Sequence, residues 1–303
     1  ILCIEFAGDD ARELQDRMSA LSDDLASRCM GYALRQETDP AAQQQIWGLR
    51  EAALGLSMAV PGDAKAISFV EDTAVAPEKL RGFMDEFLAI IARHGTEAGI
   101  YAHASVGCLH VRPVVNMKTE AGIRQFEAIA SDVADLVLRY GGALSAEHGD
   151  GLVRSPFLEK MFGPDLYQAF REVKQAFDPL GLMNPGKIVD PPPLTRNLRF
   201  GAGYRTPRLE TMFDFSHWGG MGEATEMCSG VGACRKSLSG TMCPSFMATR
   251  DEMHTTRGRA IVLRLSMLGK LGPAGLTSPG VKEALDLCLE CRACKRECPT
   301  GVD

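Results

Sequence analysis

A run of four cysteines near the end of the sequence has the spacing of an iron–sulfur ligand set. Cys288, Cys291, Cys294 and Cys298 form the pattern CxxCxxCxxxCP. Three closely spaced thiolates can bind one cluster, while the cysteine before proline usually ligates a different one. A zinc ribbon or a disulfide knot is the weaker interpretation, because zinc sites favour separated CxxC pairs. The run therefore predicts a protein that transfers single electrons.

An incomplete copy of this pattern lies upstream. Cys228 and Cys234 flank Val231, which stands where a middle cysteine would be expected, and Cys243 precedes Pro244. Crossed ligation then gives one complete [4Fe-4S] site, formed by Cys243, Cys288, Cys291 and Cys294.

The second set of cysteines lacks one thiolate. Its members are Cys228, Cys234 and Cys298. Such a set could hold a three-iron cluster, take a further ligand from His217 or His254, or stay empty. We therefore expect one cluster rather than two.

Two histidines and a glutamate form another set of candidate ligands. His103 and His110 lie seven residues apart across a bend at Gly107, so neighbouring strands can direct both imidazoles at one point. Glu147 lies in SAEHGDG, a glycine-rich loop where the backbone can approach a flat ligand. Two histidines and a carboxylate suit zinc, manganese or iron. For a single histidine a local hydrogen bond would be the better interpretation, but not for this combined pattern.

Strand-like and helical segments must position these ligands. We expect strands at residues 1–7, 65–70, 99–102 and 108–115. We expect helices at residues 11–30, from 40 to before 61, at 76–95 and 120–140, around 263–268, and at 283–287. Residues 254–259 are predicted as a helix N-terminal cap rather than a basic patch. This order fits an α+β fold with helices covering one face of a sheet.

Composition and cysteine usage narrow the function classes. A length of 303 residues suggests two domains, and the net charge of −6 gives no reason to expect a nucleic-acid partner. The sequence contains no run of eighteen apolar residues, so no membrane span is predicted. Clustered cysteines favour metal binding and a reducing compartment, hence the cytoplasm; peripheral contact with the inner membrane has no sequence support. The start within a strand-like segment and the end just after a cysteine motif indicate a fragment.

A change in composition marks a linker. Three prolines at 191–193 precede four arginines among glycine and threonine. Proline-rich segments are stiff and extended, so this one would fix the distance between two domains. We expect domains at residues 1–190 and 216–303, joined by a linker at 191–215. Cys3, Cys29 and Cys108 are predicted to be buried core residues.

Four segments carry a resemblance to a known family. WGLRE at 47–51, HASVGCLH at 103–110, SAEHGDG at 145–151 and DPLGLMNPGKI at 178–188 resemble the C-terminal substrate domain of FAD-linked oxidases. That family includes D-lactate, glycolate and D-2-hydroxyglutarate dehydrogenases. The resemblance implies a ferredoxin-like substrate domain packed over the flavin of a preceding domain. The cysteine region looks like the α-helical ferredoxin domain attached to several flavin dehydrogenases, so the fold class is α+β followed by an all-α domain.

The resemblance also implies roles for individual residues. His103, His110 and Glu147 match the metal ligands, and His148 matches the residue that takes the substrate hydroxyl proton. Arg50 and Lys65 match cations that hold the substrate carboxylate; without the family they would be a solvated helix residue and a strand-edge lysine. The resemblance also implies that Glu147, His148, Gly149, Asn184 and Lys187 face the flavin. Taken alone, the segment with Asn184 and Lys187 indicates only a turn.

The sequence departs from the family at two places. Val106-Gly107-Cys108 replaces an acidic-Gly-Asn sequence, and Arg112 stands where relatives often carry asparagine. The metal-ligand spacing is kept, but the polar lining of the pocket differs. As an additional substrate-binding cation, Arg112 would suit a larger or doubly charged acid.

The function implied is FAD-dependent oxidation of a D-2-hydroxy acid, with electrons leaving through a [4Fe-4S] cluster. The acceptor would be a quinone, a cytochrome or an electron-transfer protein. Two alternatives stay open: a non-catalytic iron–sulfur subunit, and a reductase that runs in the opposite direction. Retention of the histidines and the glutamate argues against the first, whereas sequence does not separate the two directions.

Overall fold

The computed structural model describes residues 1–302, apart from the side chains at positions 51, 54 and 56. The chain forms two compact units, Ile1–Leu54 and Gly55–Asp303. Its first helices are α1 (Ala11–Ser27) and α2 (Pro40–Met58). The Asp10 carboxylate caps α1 by accepting from the Arg12 N–H at 2.8 Å.

Residues 1–7 form no strand, contrary to the sequence prediction. A strand requires a ladder of hydrogen bonds to a neighbour, and no described residue pairs with this segment. The side chains of Ile1, Leu2 and Ile4 are exposed. Cys3 and Cys29 are also exposed, so their predicted burial was wrong. Both lie in connecting segments outside the hydrophobic core.

The second unit contains a four-stranded antiparallel sheet. Its strands are β1 (Lys65–Ala66), β2 (Thr73–Ala74), β3 (Ala98–His103) and β4 (Cys108–Val115). β4 lies in the centre: β1 and β2 pair with it on one edge and β3 on the other. The strand predicted at residues 65–70 is shorter than expected. The chain bends before Asp72, whose φ of 71° is incompatible with an extended strand.

Two helices cover one face of this sheet. They are α3 (Leu80–Arg93) and α4 (Glu120–Tyr140). The bounds of α4 agree with the prediction, whereas α3 is shorter than predicted because residues 77–79 form a 3-10 turn before it. Alternation along β4 turns Leu109, Val111 and Val115 toward these helices. The residues between them, including His110, therefore face the opposite side of the sheet. The main core consists of these β4 residues and apolar side chains from α3 and α4.

A third group of helices follows the sheet domain. α5 (Gly151–Arg154), α6 (Leu158–Phe162) and α7 (Pro164–Phe177) were not predicted from the sequence. The cysteine region contains α8 (Met221–Glu226), α9 (Pro244–Thr249), α10 (Thr256–Met267), α11 (Pro279–Asp286) and α12 (Ala293–Glu297). The Thr255 side chain accepts from the Gly258 N–H, which confirms the predicted cap. The α+β domain followed by a helical one agrees with the predicted fold class.

Lys118 joins three distant parts of the chain. Its ammonium donates to Asp63 at 2.5 Å, to Thr206 at 2.7 Å and to Glu226 at 2.6 Å. Burial opposes the charge, but hydrogen bonds to these carboxylates raise the pKa of Lys118. Thr206 and the α8 residue Glu226 are thus held against the segment between β4 and α4. Across residues 1–302, no helix combines the length and the apolar character that crossing a bilayer requires.

Candidate functional site

Three imidazoles converge on one carboxylate. Glu147 Oε1 lies 3.3 Å from Nε2 of His103, 3.1 Å from Nε2 of His110 and 3.6 Å from Nε2 of His148. The rings of His110 and His148 stack with centroids 5.0 Å apart. Four of the predicted site residues therefore lie together in the structure.

The β3–β4 hairpin brings the two strand histidines together. His103 ends β3 opposite Cys108, and His110 pairs with Tyr101, so both side chains extend from the same face. The bend between them depends on Gly107, which has a φ of 72°. A Cβ at this position would lie 1.8 Å from the Val75 carbonyl oxygen, so only glycine fits.

Asp72 shapes the loop that carries Glu147 and His148. Its fully buried carboxylate accepts from the Ser145 hydroxyl at 2.7 Å. It also accepts from the backbone N–H groups of Ala146, Glu147 and His148 at 2.9, 3.1 and 2.9 Å. Burial alone would raise the pKa of Asp72, but these hydrogen bonds outweigh it and lower that pKa. An ionised Asp72 therefore holds the loop.

Glu71 faces the same histidines from the opposite side. Its carboxylate lies 3.6 Å from Nδ1 of His110 and 3.5 Å from Nδ1 of His148. It also accepts from the Arg112 guanidinium at 2.9 Å. A carboxylate beside Nδ1 favours the tautomer with the proton there, which leaves Nε2 free to act as a ligand or base.

The donor set partly fits a divalent ion: among the described residues, the groups of ligand atoms that all lie within 4.8 Å of one another include His110 and Glu147 but not His103. Ligand atoms bound to one ion at ordinary metal–ligand distances lie about 3.0 to 3.4 Å apart. The Glu147 oxygen lies 3.3 and 3.1 Å from the nitrogens of His103 and His110, within this range. Burial lowers the pKa of His110 and so favours the neutral imidazole that a metal requires. Nitrogen and carboxylate donors suit zinc, manganese or iron.

Cys108 lies beside this set, with its sulfur within 4.8 Å of ligand atoms of Asp72, His110 and Glu147. It is buried, as predicted, and its Sγ lies 3.9 Å from Nε2 of His110. Burial, followed by the nearby carboxylates of Asp72 and Glu147, raises the pKa of Cys108 to about 11. Thiolates rather than thiols bind metals.

The predicted carboxylate-binding cations lie in different places. Arg112 contacts Glu71 at the histidine cluster and donates to the Ser68 hydroxyl at 3.2 Å. Lys65 instead contacts the Val60 carbonyl oxygen and, at 3.5 Å, the Met227 sulfur. Arg50 lies on α2 in the first unit, with its guanidinium 5.2 Å from the centroid of the Trp47 ring.

The predicted flavin-facing residues lie on two loops. Gly149, with a φ of 81°, directly follows His148. Asn184 and Lys187 are exposed on the turn after α7. The Ile188 N–H of that turn donates to the Ser155 hydroxyl at 3.1 Å, which links the turn to the helices that follow the histidine loop.

The three cysteines of the incomplete set lie close together. Burial is the main cause that raises the pKa of Cys228. The nearby Cys234 and Cys298 raise it further. Cys228 and Cys298 also share an apolar cluster with Met227 and Ala260. Residues of the two cysteine motifs thus meet in space.

The predicted complete cluster site is partly assembled. Cys243 is buried in an apolar cluster to which Cys294 packs, whereas Cys288 and Cys291 are exposed. The Cys243 sulfur accepts a hydrogen bond from the Arg259 guanidinium at 3.0 Å. Hydrogen bonds to ligating sulfurs are common in iron–sulfur sites, so a donor aimed at this buried sulfur suits the role of a ligand.

Sequence reasoning missed Glu71 and Asp72. Both lie in SFVEDTAV, an apolar strand-like segment, and both are buried. Two adjacent acids in such a segment are a usable signal, because a buried carboxylate requires hydrogen-bond donors or cations around it.

A close cluster of two histidines and a glutamate on an antiparallel sheet, followed by a helical region with clustered cysteines, gives two kinds of candidate ligand site. Residues 1–188 match the family described as FAD linked oxidases, C-terminal domain. Residues 224–302 match the 4Fe-4S dicluster domain. The chain belongs to the FAD-linked oxidase family. These matches support FAD and an iron–sulfur cluster as its cofactors.

Individual relatives agree with this assignment. The chain is 31% identical to D-2-hydroxyglutarate dehydrogenase of Escherichia coli (strain K12), over 99% of this chain and 33% of that protein. It is 32% identical to D-2-hydroxyglutarate dehydrogenase of Pseudomonas putida, with the same shares. D-lactate dehydrogenase of Archaeoglobus fulgidus is 32% identical over 44% of this chain and 29% of that protein. The chain spans about a third of the length of these relatives.

Proposed function

We propose that this chain is the substrate-side and electron-exit portion of an FAD- and iron–sulfur-dependent D-2-hydroxy-acid dehydrogenase. The substrate class we favour is D-2-hydroxyglutarate, because the relatives with that name match over 99% of the chain. The observation that carries the proposal is the convergence of three imidazoles on Glu147 Oε1. The acceptor would be a quinone, a cytochrome or an electron-transfer protein, in a cytoplasmic setting. We propose a substrate domain at residues 1–190 and an iron–sulfur domain at residues 216–303.

His103, His110 and Glu147 would hold a divalent ion. When bound, such an ion supplies Lewis-acid polarisation of the substrate hydroxyl, and FAD supplies the hydride acceptor. His148 would take the hydroxyl proton at Nε2, since Glu71 lies 3.5 Å from its Nδ1. The reaction would then give a 2-oxo acid, one proton on His148 and one hydride passed to the acceptor, in total two protons and two electrons.

Cations would orient the acid. Arg112, with its Nε and Nη2 used on Ser68 and Glu71, would meet a substrate carboxylate through its remaining N–H groups. Arg50 and Lys65 would be further cations for a substrate carboxylate, as the family resemblance implies. Gly149, Asn184 and Lys187 would face the flavin.

Electrons would leave through a [4Fe-4S] cluster held by four thiolates, those of Cys243, Cys288, Cys291 and Cys294. The set of Cys228, Cys234 and Cys298 would be a less complete second site, three thiolates brought near one another.

Two variants of the complete protein test this division of labour. His148→Gln should slow anaerobic flavin reduction by the substrate about 10² to 10⁴-fold, because the proton acceptor is lost. Cys291→Ser should leave flavin reduction intact and slow reoxidation by the acceptor. If His148→Gln reduces its flavin at the wild-type rate, the assigned base is wrong.

A further inference from the structure

Arg259 places a buried positive charge against a candidate cluster ligand. It lies on α10 and is only 8% exposed. One nitrogen, Nη1, donates to the Cys243 sulfur at 3.0 Å. The others donate to the Ser245 hydroxyl at 2.7 Å and to the Ala284 carbonyl oxygen at 2.9 Å. None of these described partners is a carboxylate.

A buried guanidinium requires a compensating negative charge. Removing such a group from water costs several kcal/mol unless it is paired. Two other arginines near these cysteines have carboxylate partners: Arg235 lies 3.0 Å and Arg257 2.6 Å from oxygens of Glu252. For Arg259, the group in contact that can carry negative charge is the Cys243 sulfur. Negative charge on this sulfur, as in a thiolate bound to a cluster, would therefore complete the pairing.

We propose that Arg259 tunes the reduction potential of the cluster that Cys243 ligates. The inference rests on the proposed ligand role of Cys243. Hydrogen bonds to ligating sulfurs and the local net charge set the potentials of such clusters. A cation that donates to the sulfur stabilises the reduced form, which carries one more negative charge. Arg259 therefore raises the potential and makes electron acceptance from the reduced flavin more favourable.

The guanidinium is held in one orientation. Ser245 lies on α9 and Ala284 on α11, so the side chain bridges three helices while keeping Nη1 on the sulfur. The Ser245 hydroxyl is fixed in turn by donating to the His254 carbonyl oxygen at 3.1 Å. A lysine would keep the charge but lose this planar set of donors.

The test is a redox titration of the complete, cluster-loaded protein, followed by electron paramagnetic resonance. Arg259→Gln should shift the cluster potential to a more negative value, and Arg259→Lys should give a smaller shift in the same direction. Arg235→Gln is the matched control, because it removes the same charge from an exposed, carboxylate-paired side chain. Its potential should stay close to that of the wild type. Iron content and the melting temperature are measured for every variant.

An unchanged potential in Arg259→Gln, with normal iron content, would overturn the proposal and leave Arg259 a structural bridge. If that variant fails to assemble a cluster, Arg259→Lys and Ser245→Ala decide: a negative shift in either supports tuning, and no shift in both overturns it. Cys243→Ser is the separate test of ligation. A cluster that survives in Cys243→Ser with its wild-type spectrum would refute the ligand role, and the tuning proposal with it.

Discussion

Arg112 Nη2 donates to Glu71 Oε2 at 2.9 Å, and Glu71 in turn faces the Nδ1 atoms of His110 and His148. Glu147 faces the opposite ring nitrogens of the same two histidines. The stacked rings therefore lie between two carboxylates. Glu71 lies on the Nδ1 side of both rings and Glu147 on the Nε2 side, where a metal ligand would be needed.

Glu71→Gln should weaken divalent-metal binding about 10- to 100-fold, as loss of such outer partners usually does. Titration of metal-depleted protein with zinc or manganese measures the dissociation constant. Glu97→Gln, at an exposed position before β3, is the control. Equal dissociation constants for Glu71→Gln and the wild type would show that Glu71 does not support the site.

His103→Ala should abolish stoichiometric divalent-metal binding, because it removes one of the two proposed imidazole ligands. Elemental analysis of the purified protein gives the metal content. His94→Ala is the matched control: His94 follows α3 and its ring nitrogen lies 2.8 Å from Asp132, so its loss should leave the metal in place. A wild-type metal content in His103→Ala would remove that residue from the ligand set.

Cys243→Ser and Cys291→Ser should destroy the same cluster, since crossed ligation joins the two motifs. Spectra of the reduced proteins identify which signal is lost. Cys29→Ser, at an exposed cysteine, should change neither signal nor iron content. Loss of spectroscopically different clusters in the two variants would show that the pairing is wrong.

The ionised carboxylate of Glu297 should stabilise the fold, and this stabilisation should depend on pH. Hydrogen bonds from Lys236, then from the N–H groups of Thr241 and Met242, lower the pKa of Glu297 to about 2. A lowered pKa means that the ionised form stabilises the fold, so its contribution is present above about pH 4.5 and lost toward pH 2. The melting temperatures of the wild type and Glu297→Gln should therefore differ at neutral pH and converge at low pH. Glu283→Gln, exposed on α11, serves as control, and a pH-independent difference for Glu297→Gln would contradict the assignment.

Phe87→Ala should destabilise the sheet domain by about 3 to 5 kcal/mol, because the side chain is fully buried among α3, α4 and β4. Urea unfolding measures the change. Phe177→Ala is the matched control: this ring is 79% exposed at the end of α7, so its loss should cost less than about 0.5 kcal/mol. Similar costs for the two variants would place the core elsewhere.

Local patterns predicted much of the fold. Helix α4 has a threonine cap, a clear apolar period and a glycine at its end, so both bounds were readable. The histidine pair was readable because its spacing matches a hairpin. The strand expected at residues 1–7 does not form, because an alternating apolar pattern does not by itself supply a neighbouring strand to pair with.

Other features depend on contacts that local sequence does not encode. Arg112 was predicted as a substrate-binding cation, but its partner Glu71 lies 41 residues away along the chain. Lys65 contacts Met227 across 162 residues. The sequence indicated only that Arg259 belongs to a capping segment. Its contact with Cys243 requires α9 and α10 to pack together. Such relationships follow from tertiary packing rather than from periodicity.

The most direct test of the central claim is anaerobic flavin absorbance of the complete protein, mixed in turn with D- and L-2-hydroxyglutarate, D- and L-lactate, and glycolate. We expect rapid bleaching by D-2-hydroxyglutarate or another D-2-hydroxy acid, and slow bleaching by its L-enantiomer. Absence of bleaching by every acid, with flavin and divalent metal confirmed bound, would contradict the dehydrogenase assignment.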